Sequence, residues 1–353
     1  MATRFAPDLR EATSTRRGEP PRLPAGLVPS TSRGSMSVAW VFPGQGSQVV
    51  GMGRDVFEAS PAARTVFERV DAALTPHLGI PLSRLCFEGP DEQLVLTANT
   101  QPAILATSMA ILAALRERLP SLAAPAFVAG HSLGEYSALV AAEAMSVEDA
   151  CLVVHERGKA MQQAVPPGEG AMSAVMGIDA PLLEELCRRA AEETGQVVSA
   201  ANFNAPGQIV IAGATQAVER ANALIDAAKG KAILLKVSAP FHCALMRPAA
   251  AVVQRALEAI RMSSAKIPVV TNVDALPRTA PDALKEALVR QVDAPVRWQA
   301  SVEHMAKEGV THLVEIGPGQ VLTRLSKRIS RGMKLHSVSD LTSLQSAAAF
   351  LSG

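Results

Sequence analysis

Aromatic side chains are scarce in this chain, with two Trp, one Tyr and nine Phe among 353 residues. Its core must therefore be assembled mainly from Ala, Val, Leu and Ile, and the 48% hydrophobic content supplies enough for one large domain or two. A charge imbalance is also missing. Lys plus Arg number 34 against 33 Asp plus Glu, a net charge of +1, which speaks against a nucleic-acid binder or a disordered protein. The four cysteines (Cys86, Cys151, Cys187, Cys243) form no C-x-x-C pair, so neither a zinc site nor a disulfide framework is indicated. With that cysteine usage a reducing cytosol is the default, so a cytoplasmic location is the expectation, and no uninterrupted apolar stretch approaches a membrane span, so no transmembrane helix is read.

Residues 1–35 read differently from the rest. Six Arg stand against three acids (Asp8, Glu11, Glu19), and Pro20, Pro21, Pro24 and Pro29 interrupt any helix. This is the composition of a disordered arm, with an organelle transit peptide as the alternative that its acids argue against. Folded sequence is expected from Met36.

From there, short apolar runs alternate with helical periodicity. Ser37–Phe42 predicts a strand, 60–75 and 100–118 predict helices, and Phe127-Val128 begins another strand. Helix 147–165 ends at Pro166-Pro167-Gly168. This order points to an α/β fold with a mainly parallel sheet. Between about 168 and 236 the order becomes β-α-β-β-α-β: strands at Ala171–Gly177, Val197–Ala200, Gln208–Ala212 and Ala232–Val237, helices at 181–195 and 215–229. That is the ferredoxin-like pattern, so a small α+β unit (167–236) is expected inside a larger discontinuous one (36–166 and 237–345). The α/β pattern resumes with helix 245–262, strand 267–271, helices 281–292 and 299–308, and strand 311–316.

The chemistry concentrates at Gly130-His131-Ser132-Leu133-Gly134, a G-x-S-x-G pattern. A strand precedes it and an Ala/Leu-rich helix follows, the context of a nucleophile elbow. Such a turn exposes the Ser132 hydroxyl where helix N–H groups can stabilise an oxyanion. The same residues also suit a serine that caps a helix after a glycine turn. Among seven histidines, His242 stands out, in a loop between a strand and a helix and after Ser132 in chain order. A satisfied loop histidine is the competing reading. Arg157 lies on the helix after the elbow helix, with Gly158 allowing close packing. It could grip a carboxylate, but alone it reads as a surface arginine paired with Glu156 or Glu143. The loop Phe42–Gln48 lacks the features of a phosphate cradle. It reads as a plain turn or as the source of an N–H beside the nucleophile.

Taken together, Phe42–Gln48, Thr100–Ala103, Gly130–Tyr136, Arg157–Gln162, Asn202–Gly213, Pro240–Leu245, Val269–Asp274 and Glu315–Gly319 resemble the malonyl-CoA:acyl-carrier-protein transacylases and the acyltransferase domains of polyketide and fatty-acid synthases. The resemblance implies a hydrolase-like large subdomain plus the ferredoxin-like small one. It implies Ser132 as nucleophile, His242 as base, the backbone N–H groups of Gln45 and Leu133 as oxyanion hole, and the carbonyl of Gln291 as orienter of the histidine. Arg157, Met161 and Phe241 fall at substrate-binding positions, with Arg157 holding the malonyl carboxylate. Phe241 resembles the Phe of malonyl-selective members, although the preceding Ser238-Ala239-Pro240 departs from their usual pattern. The implied substrates are malonyl-CoA and a phosphopantetheinylated acyl carrier protein, for fatty-acid or polyketide synthesis, with no metal, bound cofactor, nucleic acid or membrane. An acyl hydrolase, disfavoured by the presence of Arg157, and a catalytically silent docking partner, disfavoured by intact Ser132, His242 and Arg157, are the alternatives. Arg324, Lys327, Arg328, Arg331 and Lys334, with no acid between 316 and 339, would steer both the acidic carrier and the phosphates of CoA or form a solvated helix face.

Overall fold

The computed structural model describes residues 36–351; the arm expected over 1–35 lies outside them. In chain order the elements are β1 (Val38–Phe42), α1 (Arg54–Ala59), α2 (Pro61–Leu78), α3 (Leu82–Glu88), α4 (Asp91–Leu94), α5 (Thr97–Arg118), β2 (Phe127–Gly130), α6 (Gly134–Ala141) and α7 (Val147–Gln163). Then follow β3 (Gly170–Met176), α8 (Ala180–Thr194), β4 (Val198–Ala205), β5 (Gln208–Ala214), α9 (Thr215–Ala227) and β6 (Lys231–Leu234). The chain ends with α10 (Arg247–Glu258), β7 (Val269–Val270), β8 (Pro277–Arg278), α11 (Pro281–Gln291), α12 (Trp298–Lys307), β9 (His312–Ile316), α13 (Val321–Ile329), β10 (Lys334–Val338) and α14 (Leu341–Leu351).

The strands form two sheets. The larger has the order β10-β9-β1-β2-β7-β8 and is parallel except for the edge hairpin β7–β8. Its central strands are short apolar runs because both faces are covered. Trp40, Phe42, Val128 and Val314 enter a core on one face; Ala39, Val41, Ala129 and Leu313 enter a second core on the other. The smaller sheet is antiparallel, with the order β4-β5-β3-β6, and all its strands lie between Gly170 and Leu234. With α8 and α9 it forms the ferredoxin-like arrangement, around a separate core that includes Ile211, Leu183 and Val218.

Local chemistry sets the helix boundaries. Ser60 caps α2 by accepting from the Ala63 N–H at 3.1 Å, Pro61 follows, and Gly79 closes the helix in the left-handed region. Ser146 caps α7 and Asp179 caps α8 in the same way. The helix expected over 245–262 instead begins as a 3₁₀ turn at Ala244–Met246, and Pro248 sits in the first turn of α10.

Helix α5 has the length and apolarity to cross a bilayer, yet 83% of its most apolar 18-residue window is buried in the fold. It is a core helix, and its all-round apolarity reflects burial on every side. The expected large subdomain stops at 345, inside α14. The helix continues to Leu351, with Leu344 and Ala347 buried and Phe350 stacked on His336.

Candidate active site

Because β9, β1, β2 and β7 are parallel, their C-terminal ends share one edge of the sheet. The loops leaving that edge carry Gln45 (after β1), Ser132 (after β2), Asn272 (after β7) and Gly317–Gln320 (after β9). At the elbow the chain reverses so tightly that a Cβ on Gly130 would lie 1.9 Å from the Gly134 backbone, and one on Gly134 would lie 2.1 Å from the Phe42 carbonyl. Only glycine fits either place. Ser132 itself holds φ 52°, a left-handed conformation that costs about 1–2 kcal/mol for a non-glycine residue. Its backbone N–H donates to Asn272 Oδ1 at 2.7 Å, and Asn272 Nδ2 donates to the Gly130 carbonyl at 2.7 Å, so one side chain clamps both arms of the turn.

The segment that leaves the small sheet brings His242 to the elbow. His242 also has a left-handed φ, 61°. Its Nδ1 lies 2.8 Å from the Gln291 carbonyl, which can only accept, so Nδ1 carries the proton. Nε2 is left as an acceptor for the Ser132 hydroxyl at 2.7 Å. Burial, and secondarily the Arg157 guanidinium, hold this imidazole down to about 3, against the upward pull of the Gln291 carbonyl. It is therefore neutral and able to take a proton from serine throughout the physiological range.

Arg157 is 1% exposed. This corrects its reading as a surface arginine: Glu156 pairs with Lys159 and Glu143 with Lys266. The burial arises from Gly158, where a Cβ would meet the Thr97 carbonyl at 2.5 Å, so α7 presses directly onto the start of α5. Arg157 Nη1 donates to Gln101 Oε1 at 2.7 Å, and Nη2 donates to Gln291 Oε1 at 2.9 Å and to Ser132 Oγ at 3.1 Å. The Tyr136 ring lies 5.7 Å from the guanidinium carbon. No carboxylate among the described residues lies within ion-pair distance of it. A buried cation whose hydrogen-bond partners are all neutral, with only Glu135 beyond them to offset its charge, is costly unless a further anion joins it, so this pocket is suited to a carboxylate next to the reactive oxygen.

The remaining expected residues fall as follows. The N–H groups of Gln45 and Leu133 donate to no described group. A Cβ on Gly44 would lie 2.5 Å from the His131 carbonyl, so the Gln45 loop lies tight against the elbow. Met161 is buried, and its sulfur accepts weakly from Gln101 Nε2 at 3.9 Å, supporting the amide that holds Arg157. Phe241 is buried beside His242. His131 points elsewhere, to Asn204 Oδ1 at 2.8 Å and the Trp298 ring.

The basic run is not one patch at this edge. Lys334 begins β10 level with His312 and Val38, at the opposite end of the sheet. Arg328 is engaged with Gln208 Oε1 and the Pro206 carbonyl of the small sheet's hairpin.

Three contributors had no role in the sequence reading: Gln101, Asn272 and Glu135. Each falls inside a stretch that carries the family resemblance, Thr100–Ala103, Val269–Asp274 and Gly130–Tyr136, which is the available signal. Glu315 is a fourth such residue, and its carboxylate accepts from the Leu322 and Thr323 N–H groups and so caps α13.

A hydroxyl bonded to a neutral imidazole, in a strained turn at a helix N-terminus, defines a serine acyl-transfer centre. A family profile described as acyl transferase domain matches residues 39–347, and the chain belongs to that family. Within it, the chain falls with the malonyl CoA-acyl carrier protein transacylases. It is 50% identical over 292 residues to that of Escherichia coli strain K12, covering 82% of this chain and 92% of the relative. It is 46% identical over 311 residues to that of Bacillus subtilis strain 168, covering 88% and 96%. Among solved structures it is similar to a malonyl-transacylase in complex with its type II PKS acyl-carrier protein, with TM-score 0.84, 45% identity and coverage of 89% and 99%. An acyl carrier protein S-malonyltransferase from Vibrio cholerae gives TM-score 0.84 at 46% identity, covering 88% and 99%.

Proposed function

We propose that this chain transfers malonyl groups from malonyl-CoA to the phosphopantetheine thiol of an acyl carrier protein, for fatty-acid or polyketide synthesis, in the cytoplasm. The Ser132 hydroxyl gives its proton to His242 Nε2 and attacks the thioester carbonyl. The N–H groups of Leu133 and Gln45 receive the negative charge that develops on the carbonyl oxygen. The C–S bond breaks, the CoA sulfur takes the proton from His242, and malonyl remains as an ester on Ser132. The carrier thiol then gives its proton to His242 and attacks that ester. The Ser132 oxygen leaves, recovers the proton, and the malonyl thioester departs on the carrier. Gln291 keeps His242 in the reactive tautomer through its backbone carbonyl. Each bond made or broken is accounted for by Ser132, His242 and the two thiols, so the route calls on no metal or bound cofactor.

The observation that carries this reading is the buried, carboxylate-free Arg157 at 3.1 Å from Ser132 Oγ. It supports an acyl group bearing an acid, and Phe241, buried next to the base, supports an unbranched one. Of the basic run, Arg324 is the member nearest the site edge and the one we assign to steering the carrier. Mass spectrometry after mixing with malonyl-CoA tests the route. A malonyl adduct on Ser132 that discharges rapidly to holo-carrier and slowly to water supports transfer. Rapid turnover without carrier would make the chain a hydrolase, and no adduct would make it a silent partner.

A further inference from the structure

We infer that Glu135 is a positioning residue for acyl selectivity, acting through Gln291 to aim the guanidinium of Arg157. The inference rests on the malonyl-transfer reading above.

Glu135 stands in the first turn of α6 and is 1% exposed. Such a carboxyl is placed there at a cost unless its oxygens are used. Only one oxygen is used: Oε2 accepts two hydrogen bonds, from the Asn272 backbone N–H and from Gln291 Nε2, each at 2.9 Å, while the buried Oε1 has no partner among the described residues. The same Nε2 also donates to the Ser132 carbonyl at 2.9 Å and faces Asn272 Oδ1 at 3.3 Å. Three acceptors thus surround one end of the Gln291 amide, and the ionisable one is Glu135. A flipped amide would set its oxygen against all three and its NH₂ against the guanidinium of Arg157. The acceptors therefore decide that Oε1 faces Arg157, which it meets at 2.9 Å.

The result is a chain of contacts from Glu135 through Gln291 to Arg157 and on to Ser132 Oγ. A second branch runs through Asn272 to the Ser132 N–H. Glu135 Oε2 meets both branches, at the Gln291 amide and at the Asn272 backbone N–H, and it hydrogen-bonds neither Ser132 Oγ nor the guanidinium. Burial pushes its carboxyl up to about 7, while the Asn272 N–H and the Gln291 amide pull it down, so the hydrogen bonds are what favour its charged form.

The test compares kcat/KM for malonyl-CoA and for acetyl-CoA, which lacks the free carboxylate, in two variants. Glu135→Asp keeps the charge but withdraws it from Gln291. Glu135→Gln keeps an oxygen in place for both donors and removes the charge. Glu135→Asp is expected to lower the malonyl-to-acetyl ratio about tenfold, and Glu135→Gln to stay within about threefold of wild type, since one lost charge-assisted hydrogen bond is worth a factor of this order. An unchanged ratio in Glu135→Asp, with both substrates slowed together, would overturn the inference in favour of a purely structural role. So would an equal fall in Glu135→Gln. If Glu135→Asp does not fold, Glu135→Ser makes the same cut, with the acetyl rate as internal control for folded protein. A wild type that itself shows no malonyl preference would sink the functional reading and this inference with it, whereas a wild-type preference left unchanged in Glu135→Asp sinks the inference alone.

Discussion

At the C-terminal edge of the six-stranded sheet, Gln101, Glu135, Arg157, His242, Asn272 and Gln291 are all buried polar groups, and Ser132 and His242 hold left-handed backbone. In the four-stranded unit the core under α8 and α9 is made of Val, Leu, Ile and Ala with Cys187, and charge is kept outside in pairs such as Arg188–Glu185 and Arg189–Glu193. One region holds stability in apolar packing, and the other spends it on strain and desolvated polar groups. The difference teaches where function lies, because strain and buried charge persist only where neighbouring groups hold them in place. It also implies that damage to the two regions should separate cleanly into lost chemistry and lost stability.

The largest expected effect is on chemistry alone. Ser132→Ala should lower acyl transfer by about 10⁴-fold or more, with no malonyl adduct by mass spectrometry. It also relieves no packing, so Tm should not fall. Next, Arg157→Ala should lower the malonyl-to-acetyl ratio of kcat/KM about a hundredfold, through loss of charge-assisted hydrogen bonds to the acid. A retained ratio would refute its role.

The small unit should behave the other way. Leu183 is fully buried, and Leu183→Ala should cost about 2–5 kcal/mol in chemical denaturation while leaving the acylation rate of the folded protein intact. A variant that lost rate in proportion to stability would break the comparison.

Acid should reveal the strained region. His242 is held neutral in the fold, so its contribution is fully present above pH 6.5 and is lost as pH falls toward about 3. Between pH 6.5 and 5 the stability of wild type relative to His242→Gln should fall by about 2 kcal/mol. The difference between the two proteins is the proper measure. Glu135, whose carboxyl is raised to about 7, has the opposite sign, favouring the fold as pH falls from 7 toward 4.5. A difference that does not change with pH would show that His242 is not held neutral. The smallest effect should come from Arg188→Ala: its ion pairs are exposed to solvent and salt, and Tm should not measurably change.

What could be read along the chain follows from how local each signal is. The elbow was legible because strand, glycines and helix all lie within twenty residues. The small unit was legible because its helices carry clean apolar stripes and its strands are bounded by turns. Helices α1, α3 and α4, at 6, 7 and 4 residues, are too short to show a period. Strand β10, Lys-Leu-His-Ser-Val, mixes polar and apolar residues and is held by pairing with β9. Strand β7 shrank from the expected 267–271 to Val269–Val270, because the chain turns at Thr271 to present Asn272.

Arg157 marks the limit. Its helix was legible, but its burial depends on Gly158 meeting Thr97, 61 residues earlier, and its aim depends on Gln101 and Gln291. The sequence by itself determined the alternating α/β order, the inserted α+β unit and a serine set in a strained turn, since these come from period, punctuation and local sterics. The family resemblance named His242, Arg157 and Gln291, but only the tertiary structure shows the contacts that bring them to that serine and which acid holds the amide between them. Those contacts join residues up to 159 positions apart, and no local propensity encodes them.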